Sequence, residues 1–446
     1  MNQITLDKES PMYIKKITGV VVTAALMSAS AHAKTEVEWW HAMGGTLGEK
    51  VNEIAADFNA SQSEYEIKAV YKGSYAETMT SAIAAFRAKQ QPAIVQVFEV
   101  GTATMMGAKK AIYPVYELMA DTKESFNPNK YLSAVTGYYT NNDGQMLSMP
   151  FNSSTPVLYY NKDMFAKAGI TSAPKTWKEM GEVSQKLLDS GAQCGFTTTW
   201  QSWIQIENFG ARNNIAMADN NNGFSGLDTK FTFNKPEFVK HINEMSEWAK
   251  SGIYKYGGRQ STGMPLFYTQ ECAMTMGSSA GLAGIQANMQ GINVGVAQLP
   301  YDDSLIEKPQ NTIIGGASLW VLRGHSSEKY KGVAKFFSYL SSAAVQADWH
   351  QFTGYLPITQ DAYQLTKEQG FYKTNPGTDV AVMQMTSTEP TVNSKGIRFG
   401  NFLQTRDIIN EQLEAVWAGK ESAQAALDNA VKQGNEELRR FERTQK

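Results

Sequence analysis

Three strand patterns separated by two helix patterns occupy residues 36–98. Residues 36–40 alternate in polarity, 65–71 has strand character, and 93–98 is a continuous apolar run. Between them, apolar residues recur at helical spacing over 47–58, and a further helical stretch covers 77–89. Strands joined by helices favour a sheet that helices cover on both faces. The sequence therefore predicts an α/β fold with ligand sites beyond the carboxyl ends of the strands.

A second alternating α/β region runs from about 155 to 300, with turn signals at Lys235-Pro236 and Gly257-Gly258. A buried strand is predicted over 313–322 and helices over most of 404–441. The chain has 446 residues, of which 42% are hydrophobic and 19% charged. That composition is globular, and the length exceeds what one hydrophobic core usually organises. We therefore expect two lobes.

The first 33 residues have the pattern of a secretory signal peptide. Lys15 and Lys16 precede an apolar run over 17–27, which is too short to span a bilayer, and small residues follow it up to Ala33. This predicts cleavage after Ala33 and a periplasmic mature protein. Met12 directly precedes Tyr13-Ile14-Lys15-Lys16, so either Met1 or Met12 can be the initiator.

Charge and composition exclude several functions. The formal net charge is −2, and the cations are scattered, so nucleic acid is not an expected partner. No metal or cofactor is indicated, since the chain lacks C-x-x-C, H-E-x-x-H, EF-hand and Walker A motifs. Any ATP chemistry belongs to another subunit. Cys194 and Cys272 either form a disulfide, as an oxidising compartment permits, or are two small buried hydrophobes.

A polar segment, Asn152-Ser153-Ser154-Thr155-Pro156, precedes an apolar strand pattern and the Asn161-Lys162-Asp163 helix start. Serine hydroxyls in such segments commonly satisfy local backbone groups, so a plain turn is the default interpretation of Ser153 and Ser154. Only their surroundings in the fold can make them ligand contacts.

Residues 277–281, Gly-Ser-Ser-Ala-Gly, follow a strand pattern and match G-x-S-x-G. One interpretation is a serine hydrolase with Ser279 as nucleophile, although no second oxyanion-hole motif is visible. The candidate triad partners are Asp302, Asp303, His325 and His350. The alternatives are an anion site made by serine hydroxyls and N–H groups, or a serine that only caps a helix.

Trp200 and two late arginines are further ligand candidates. Trp200 lies in a segment without periodicity and can stack on the apolar face of a ligand, although core packing is the default for tryptophan. Arg398 and Arg406 can each present a guanidinium group to phosphate oxygens. From the sequence pattern alone, neither is a stronger candidate for phosphate binding than Arg212 or Arg259.

Several segments carry a family resemblance: 38–48, 93–106, 150–163, 313–320 and 353–359. They resemble the extracellular solute-binding proteins of bacterial ABC importers, in particular those for sn-glycerol 3-phosphate, over essentially all of 34–446. The resemblance implies a two-lobe periplasmic binding protein fold with a hinge and a central ligand cleft. We assign 34–145 and about 312–362 to lobe 1, and about 146–311 and 363–446 to lobe 2.

The resemblance also implies a set of ligand-binding residues: Tyr75, Glu99, Ser154, Trp200, Ser278, Gly316, Tyr355 and Arg406. In this scheme Arg406 binds phosphate, Gly316 permits close backbone approach, and Trp200 covers the carbon face of the ligand. Because a carboxylate repels phosphate, Glu99 is expected at the opposite end of the ligand from Arg406. Replacing Arg406 by alanine is expected to remove most affinity and leave the fold intact.

The implied ligands are sn-glycerol 3-phosphate and glycerophosphodiesters such as glycerophosphocholine. The implied partners are inner-membrane permease subunits and a separate ATPase subunit, with the binding protein monomeric before docking. A neutral oligosaccharide ligand is the alternative within the same fold, because local residues choose the substrate.

Overall fold

Ten strands and nineteen α-helices are present in the computed structural model, which describes residues 33–446. The predicted signal peptide and the choice between Met1 and Met12 lie outside the described residues. The strands are β1 Thr35–His41, β2 Tyr65–Tyr71, β3 Ile94–Phe98, β4 Ile112–Tyr113, β5 Met149–Ser154, β6 Pro156–Asn161, β7 Cys194–Thr198, β8 Cys272–Ser278, β9 Val294–Ala297 and β10 Gly315–Leu322. The helical segments are α1 Gly45–Ser61, α2 Tyr75–Arg87, α3 Thr102–Gly107, α4 Val115–Asp121, α5 Ser133–Tyr139, α6 Lys162–Lys167, α7 Trp177–Asp189, α8 Phe209–Arg212, α9 Asp219–Asn222, α10 Pro236–Ser251, α11 Met264–Tyr268, α12 Leu282–Asn288, α13 Ser327–Leu340, α14 Ala343–Thr353, α15 Gln360–Glu368, α16 Phe371–Thr374, α17 Val380–Met385, α18 Phe402–Trp417 and α19 Ala423–Gln445.

The first sheet has the strand order β2-β1-β3-β10-β4, with β5 also paired to β10. Strands β1, β2 and β3 run parallel, as the alternating pattern predicts, and their carboxyl ends share one edge. Strand β10 comes from far along the chain and pairs antiparallel with β3, β4 and β5. Residues after β1 and β3 therefore lie beside residues of β5 and β10.

The second sheet has the order β7-β8-β6-β9. Strands β7 and β8 are parallel, and β6 lies antiparallel between β8 and β9. Asn161 caps α6 by accepting hydrogen bonds from the N–H groups of Asp163 and Met164, as its position before the helix predicts.

Two crossings of the chain join the strands of the two sheets. It leaves the first sheet at Thr155, between β5 and β6, and returns between β9 and β10. The hydroxyls of Thr155 and Thr312 bond to each other, so the two crossings lie side by side. Two sheets with adjacent crossings are the two-lobe, hinged α/β fold that the sequence predicts. Strand β5 pairs within the first sheet, so the chain passes from the first sheet to the second after residue 154, later than the lobe boundary expected at about 146. The lobe boundaries stay a prediction.

Cys194 and Cys272 form a disulfide between neighbouring strands β7 and β8. Both are buried, and the bond ties the edge strand β7 to its neighbour β8, so the disulfide alternative is the one present. No helix among residues 33–446 is long and apolar enough to span a membrane.

Candidate functional site

A cavity of about 700 Å³ lies where the strand ends of the two sheets meet. Its wall includes residues that follow β1, β3 and β7 and the last residue of β8. All eight residues expected from the family resemblance line it: Tyr75, Glu99, Ser154, Trp200, Ser278, Gly316, Tyr355 and Arg406. The volume falls within the roughly 300–1,000 Å³ typical of small-molecule sites.

Two tyrosines supply hydroxyl groups to the cavity. Tyr75 stacks on Phe98 with ring centroids 5.3 Å apart, and Asn152 Nδ2 donates to the Tyr75 hydroxyl at 2.8 Å. Tyr355 stacks on the buried Trp349 at 5.6 Å. Burial raises the pKa of both tyrosines above the ordinary value, so both hydroxyls stay protonated and can donate to an anionic ligand.

Ser154 and Gly316 come from the paired strands β5 and β10. Gly316 has a φ of 91°, and a Cβ there would lie 1.8 Å from the carbonyl oxygen of Asn152. The backbone itself therefore requires glycine at this position, whether or not a ligand approaches it.

Arg406, on α18, lies between two carboxylates. Its Nε and Nη2 donate to Glu207 Oε1 and Oε2 at 2.6 and 2.7 Å, and Nη2 lies 2.7 Å from Glu99 Oε1. Glu207 belongs to a π-helical turn, Trp203–Asn208, which follows β7 of the second sheet, whereas Glu99 follows β3 of the first sheet. The ion pair of Glu99 and Arg406 therefore bridges the cleft.

Burial disfavours the charged form of Arg406 and of Glu99, and the opposite charge of the partner side chain favours it. Burial opposes ionisation of Arg406, but the two carboxylates outweigh it and raise the pKa of Arg406. Burial raises the pKa of Glu99 despite the opposing pull of Arg406. Two carboxylates share one guanidinium, so the group carries an excess of negative charge.

The expectation that Glu99 lies at the opposite end of the ligand from Arg406 is wrong, since the two side chains are in contact. Repulsion from a phosphate is only one of the interactions that place a buried carboxylate. A carboxylate with 5% side-chain exposure also needs a counter-charge of its own, and Arg406 provides it.

The other candidate arginines differ in position. Arg398 does not line the cavity, because its guanidinium donates to the carbonyls of Tyr138 and Thr140. Arg212 is buried and bonds the carbonyls of Leu299 and Gln310. Arg406 is therefore the one of the two late arginines that reaches the site.

Trp200 marks another part of the cavity wall. Its φ of 47° is in the left-handed region, and its backbone N–H donates to the Gln260 carbonyl at 2.8 Å. A strained backbone at a cavity residue is common where side-chain orientation serves binding. Arg259, next to Gln260, also lines the cavity and pairs with Glu414.

The G-x-S-x-G segment does not assemble a nucleophile and base. Ser278 lines the cavity, and its hydroxyl accepts from the Ala280 N–H as a helix cap. Ser279 lies outside the cavity, and its hydroxyl has no hydrogen-bond partner within 33–446. Both ring nitrogens of His350 are engaged elsewhere, with the Tyr355 carbonyl and the Tyr372 hydroxyl. Within the described part of the chain, no group of three or more metal-ligating side chains is present.

Sequence reasoning missed several residues of the cavity, among them Met43, Trp203, Asp407 and Asn410. Helical spacing could have found two of these, since Asp407 and Asn410 lie near Arg406 on one face of α18. Glu207 lies behind Arg406, and nothing local in the sequence marks it.

Curated relatives resemble the chain over nearly its whole length. The sn-glycerol-3-phosphate-binding periplasmic protein UgpB of Yersinia pseudotuberculosis is 50% identical over 436 residues, 97% of this chain and 99% of that protein. The protein of the same name from Brucella abortus is 49% identical over 430 residues, 95% of this chain and 98% of that protein.

Solved structures share the fold at low sequence identity. UgpB from Mycobacterium tuberculosis in complex with glycerophosphocholine has a TM-score of 0.76 and 21% identity, covering 91% of this chain and 99% of that one. The GacH receptor of Streptomyces glaucescens has a TM-score of 0.76 and 17% identity, covering 92% of this chain and 100% of that one. A family model, bacterial extracellular solute-binding protein, matches residues 53–379. This chain belongs to the bacterial extracellular solute-binding protein family.

Proposed function

We propose that the chain is the periplasmic substrate-binding subunit of an ABC importer and that it captures sn-glycerol 3-phosphate and glycerophosphodiesters such as glycerophosphocholine. The observation that carries the proposal is one cavity that collects all eight expected ligand residues from both halves of the molecule. Relatives named for sn-glycerol 3-phosphate at 50% identity support the ligand class.

The phosphate would be bound by neutral donors close to a cation. The hydroxyls of Tyr75, Ser154 and Tyr355 line the cavity, and Arg406 supplies positive charge beside them. Glu99 shares Arg406 and would accept a hydrogen bond from a glycerol hydroxyl, which a phosphate oxygen cannot donate. In this arrangement Glu99 binds the glycerol part of the ligand although the phosphate is nearby.

Transport requires the ligand to favour a closed arrangement of the lobes. A ligand in this cavity contacts Ser154 and Tyr75 on one side and Ser278 and Trp200 on the other. Contacts from both sides stabilise the closed state more than the open one, and the closed form would then dock on the permease subunits, with ATP hydrolysis in a separate subunit. The reaction is binding and release, with no covalent step.

The test is calorimetric titration of the mature protein, unfolded and refolded to remove bound ligand. Its ligands are sn-glycerol 3-phosphate, glycerophosphocholine and maltose. Saturable binding of sn-glycerol 3-phosphate and of glycerophosphocholine, with no binding of maltose, supports the proposal. Maltose binding alone would assign an oligosaccharide ligand to the same fold. Release of glycerol 3-phosphate from glycerophosphocholine, abolished in Ser279→Ala, would instead indicate a hydrolase.

A further inference from the structure

Arg398 joins two connections that belong to different sheets. Its backbone N–H donates to the carbonyl oxygen of Asn222, which lies in the connection between β7 and β8 of the second sheet. Its Nη2 donates to the carbonyl oxygens of Thr140 at 2.8 Å and of Tyr138 at 3.4 Å. Those two residues lie in the connection between β4 and β5 of the first sheet. One residue therefore links the halves built on the two sheets, at a place that does not line the cavity.

The acceptors of the Arg398 guanidinium group are all neutral. Tyr138 and Thr140 lie at the end of α5, where carbonyl groups lack partners within their own helix. Asn142 Oδ1 is a third acceptor, at 3.4 Å. Burial lowers the pKa of Arg398, so its charge is costly to place here and these acceptors offset that cost. Hydrogen bonds from a charged donor are also stronger than those between neutral groups.

Close packing accompanies these hydrogen bonds. Gly396 has a φ of 136°, and a Cβ there would lie 2.8 Å from the Tyr138 ring and 3.6 Å from the Phe224 ring. The guanidinium carbon of Arg398 lies 4.3 Å from the centroid of the Phe224 ring, within the range of cation–π attraction. Because Phe224 follows Asn222 in the same connection, the second-sheet half holds the guanidinium group while the first-sheet half accepts its hydrogen bonds.

The Arg398 contact is near the buried ion pair of the cavity. Tyr138 is 2% exposed, and its pKa is raised by burial and, to a smaller extent, by the charge of Glu99. Arg398 precedes α18, the helix that carries Arg406. A movement that separates Arg406 from Glu99 would therefore also pull Arg398 away from the end of α5.

We propose that Arg398 is a latch between the two halves, which stabilises the closed arrangement in which Glu99 contacts Arg406. It would thereby strengthen ligand binding without touching the ligand. The apparent affinity of a ligand is proportional to the fraction of the protein in the binding-competent arrangement, so a contact that raises this fraction lowers the Kd. The inference rests on the proposed function for its binding measurement, whereas the arrangement of the halves can be measured without a ligand.

The first experiment compares ligand affinities by calorimetry. Arg398→Met keeps an unbranched side chain against Phe224 and removes the donors. It should bind glycerophosphocholine about fivefold more weakly, the effect expected for one partly exposed hydrogen bond from a charged group. Arg398→Lys keeps the charge without the planar pair of donors and should have an intermediate affinity.

Arg439→Met is the matched control. The Arg439 guanidinium group also donates to two backbone carbonyl oxygens, those of Leu227 and Thr229. Both acceptors lie in the connection between β7 and β8, and α19, which carries Arg439, packs against α10 of the same connection. These bonds stay within one half of the molecule, so Arg439→Met should bind the ligand as the unmodified protein does.

The second experiment measures the arrangement of the halves without a ligand. Spin labels are attached at Ala56→Cys on α1 and Lys186→Cys on α7, two exposed positions, while the native cysteines are joined in their disulfide. Pulsed electron resonance should give a broader distance distribution in Arg398→Met than in the parent or in Arg439→Met. An unchanged distribution in Arg398→Met overturns the latch, whatever the affinity, and leaves the proposed function standing. If the unmodified protein binds neither sn-glycerol 3-phosphate nor glycerophosphocholine, the proposed function is wrong, and the ligand-free distances still decide on the latch.

Discussion

Arg406 stabilises the fold as well as lining the cavity, because it neutralises Glu207 and Glu99, whose side chains are 0% and 5% exposed. Arg406→Ala should therefore lower the free energy of unfolding by about 3–5 kcal/mol, the usual effect of leaving a buried charge unpaired. The sequence alone led to the expectation that this variant leaves the fold intact, whereas the buried ion pairs predict a loss of stability. Urea unfolding measures this.

Arg259→Ala is the control for that variant. Its ion pair with Glu414 is about one-third exposed, so its loss should cost about 1 kcal/mol or less. Equal losses in the two variants would contradict the role of the buried pair.

Gly316 is required by the backbone. Its φ of 91° is strained for any other residue, and a Cβ would meet the Asn152 carbonyl at 1.8 Å. Gly316→Ala should lower the midpoint of urea unfolding, with a loss of at least about 1–2 kcal/mol. Gly137→Ala is the control, since Gly137 lies within α5 and has nothing within 4 Å of its Cβ position; it should be neutral or stabilising. A stable Gly316→Ala would show that β10 can move away from β5.

Among the elements, β7 and β8 are the pair with a covalent link. The bond between Cys194 and Cys272 closes a loop with a sequence separation of 78 residues. Replacing both cysteines by alanine should lower the free energy of unfolding by about 2–5 kcal/mol, since the unfolded chain regains the freedom of that loop. Thermal unfolding with and without a reductant checks this. A double variant as stable as the oxidised protein would show that β-pairing alone holds these strands.

For the whole molecule, three buried histidines make stability depend on pH. Burial lowers the pKa of His41 and His350 to about 4 and that of His241 to about 3. Between about pH 6.5 and 4 the unfolded chain binds protons at these sites and the folded chain does not, so stability falls as the pH falls. Each site contributes up to about 1.4 kcal/mol per pH unit.

Urea unfolding at pH 7, 6 and 5 measures this slope. In His41→Gln, the glutamine can still accept a hydrogen bond from the Met43 N–H. This variant should reduce the dependence of the unfolding free energy on pH by the contribution of one histidine. Stability that stays level down to pH 5, in the unmodified protein, would contradict neutral buried histidines.

Local patterns in the sequence determined the α/β class. The period of two in β1, the helical spacing in α1 and the apolar run of β3 depend on neighbours a few residues apart, so a single sequence shows them. Family resemblance added the eight residues that line the cavity. Neither source placed Glu99 beside Arg406, because their contact joins residues about three hundred positions apart.

Only the tertiary structure decided which distant segments meet. Strand β10 inserts antiparallel beside β3 and pairs Gly316 with Ser153, although nothing local in either strand specifies that partner. The same holds for Glu207, which lies behind Arg406. Periodicity determines which face of an element is buried, whereas the packing of the whole chain determines which charges share a cavity.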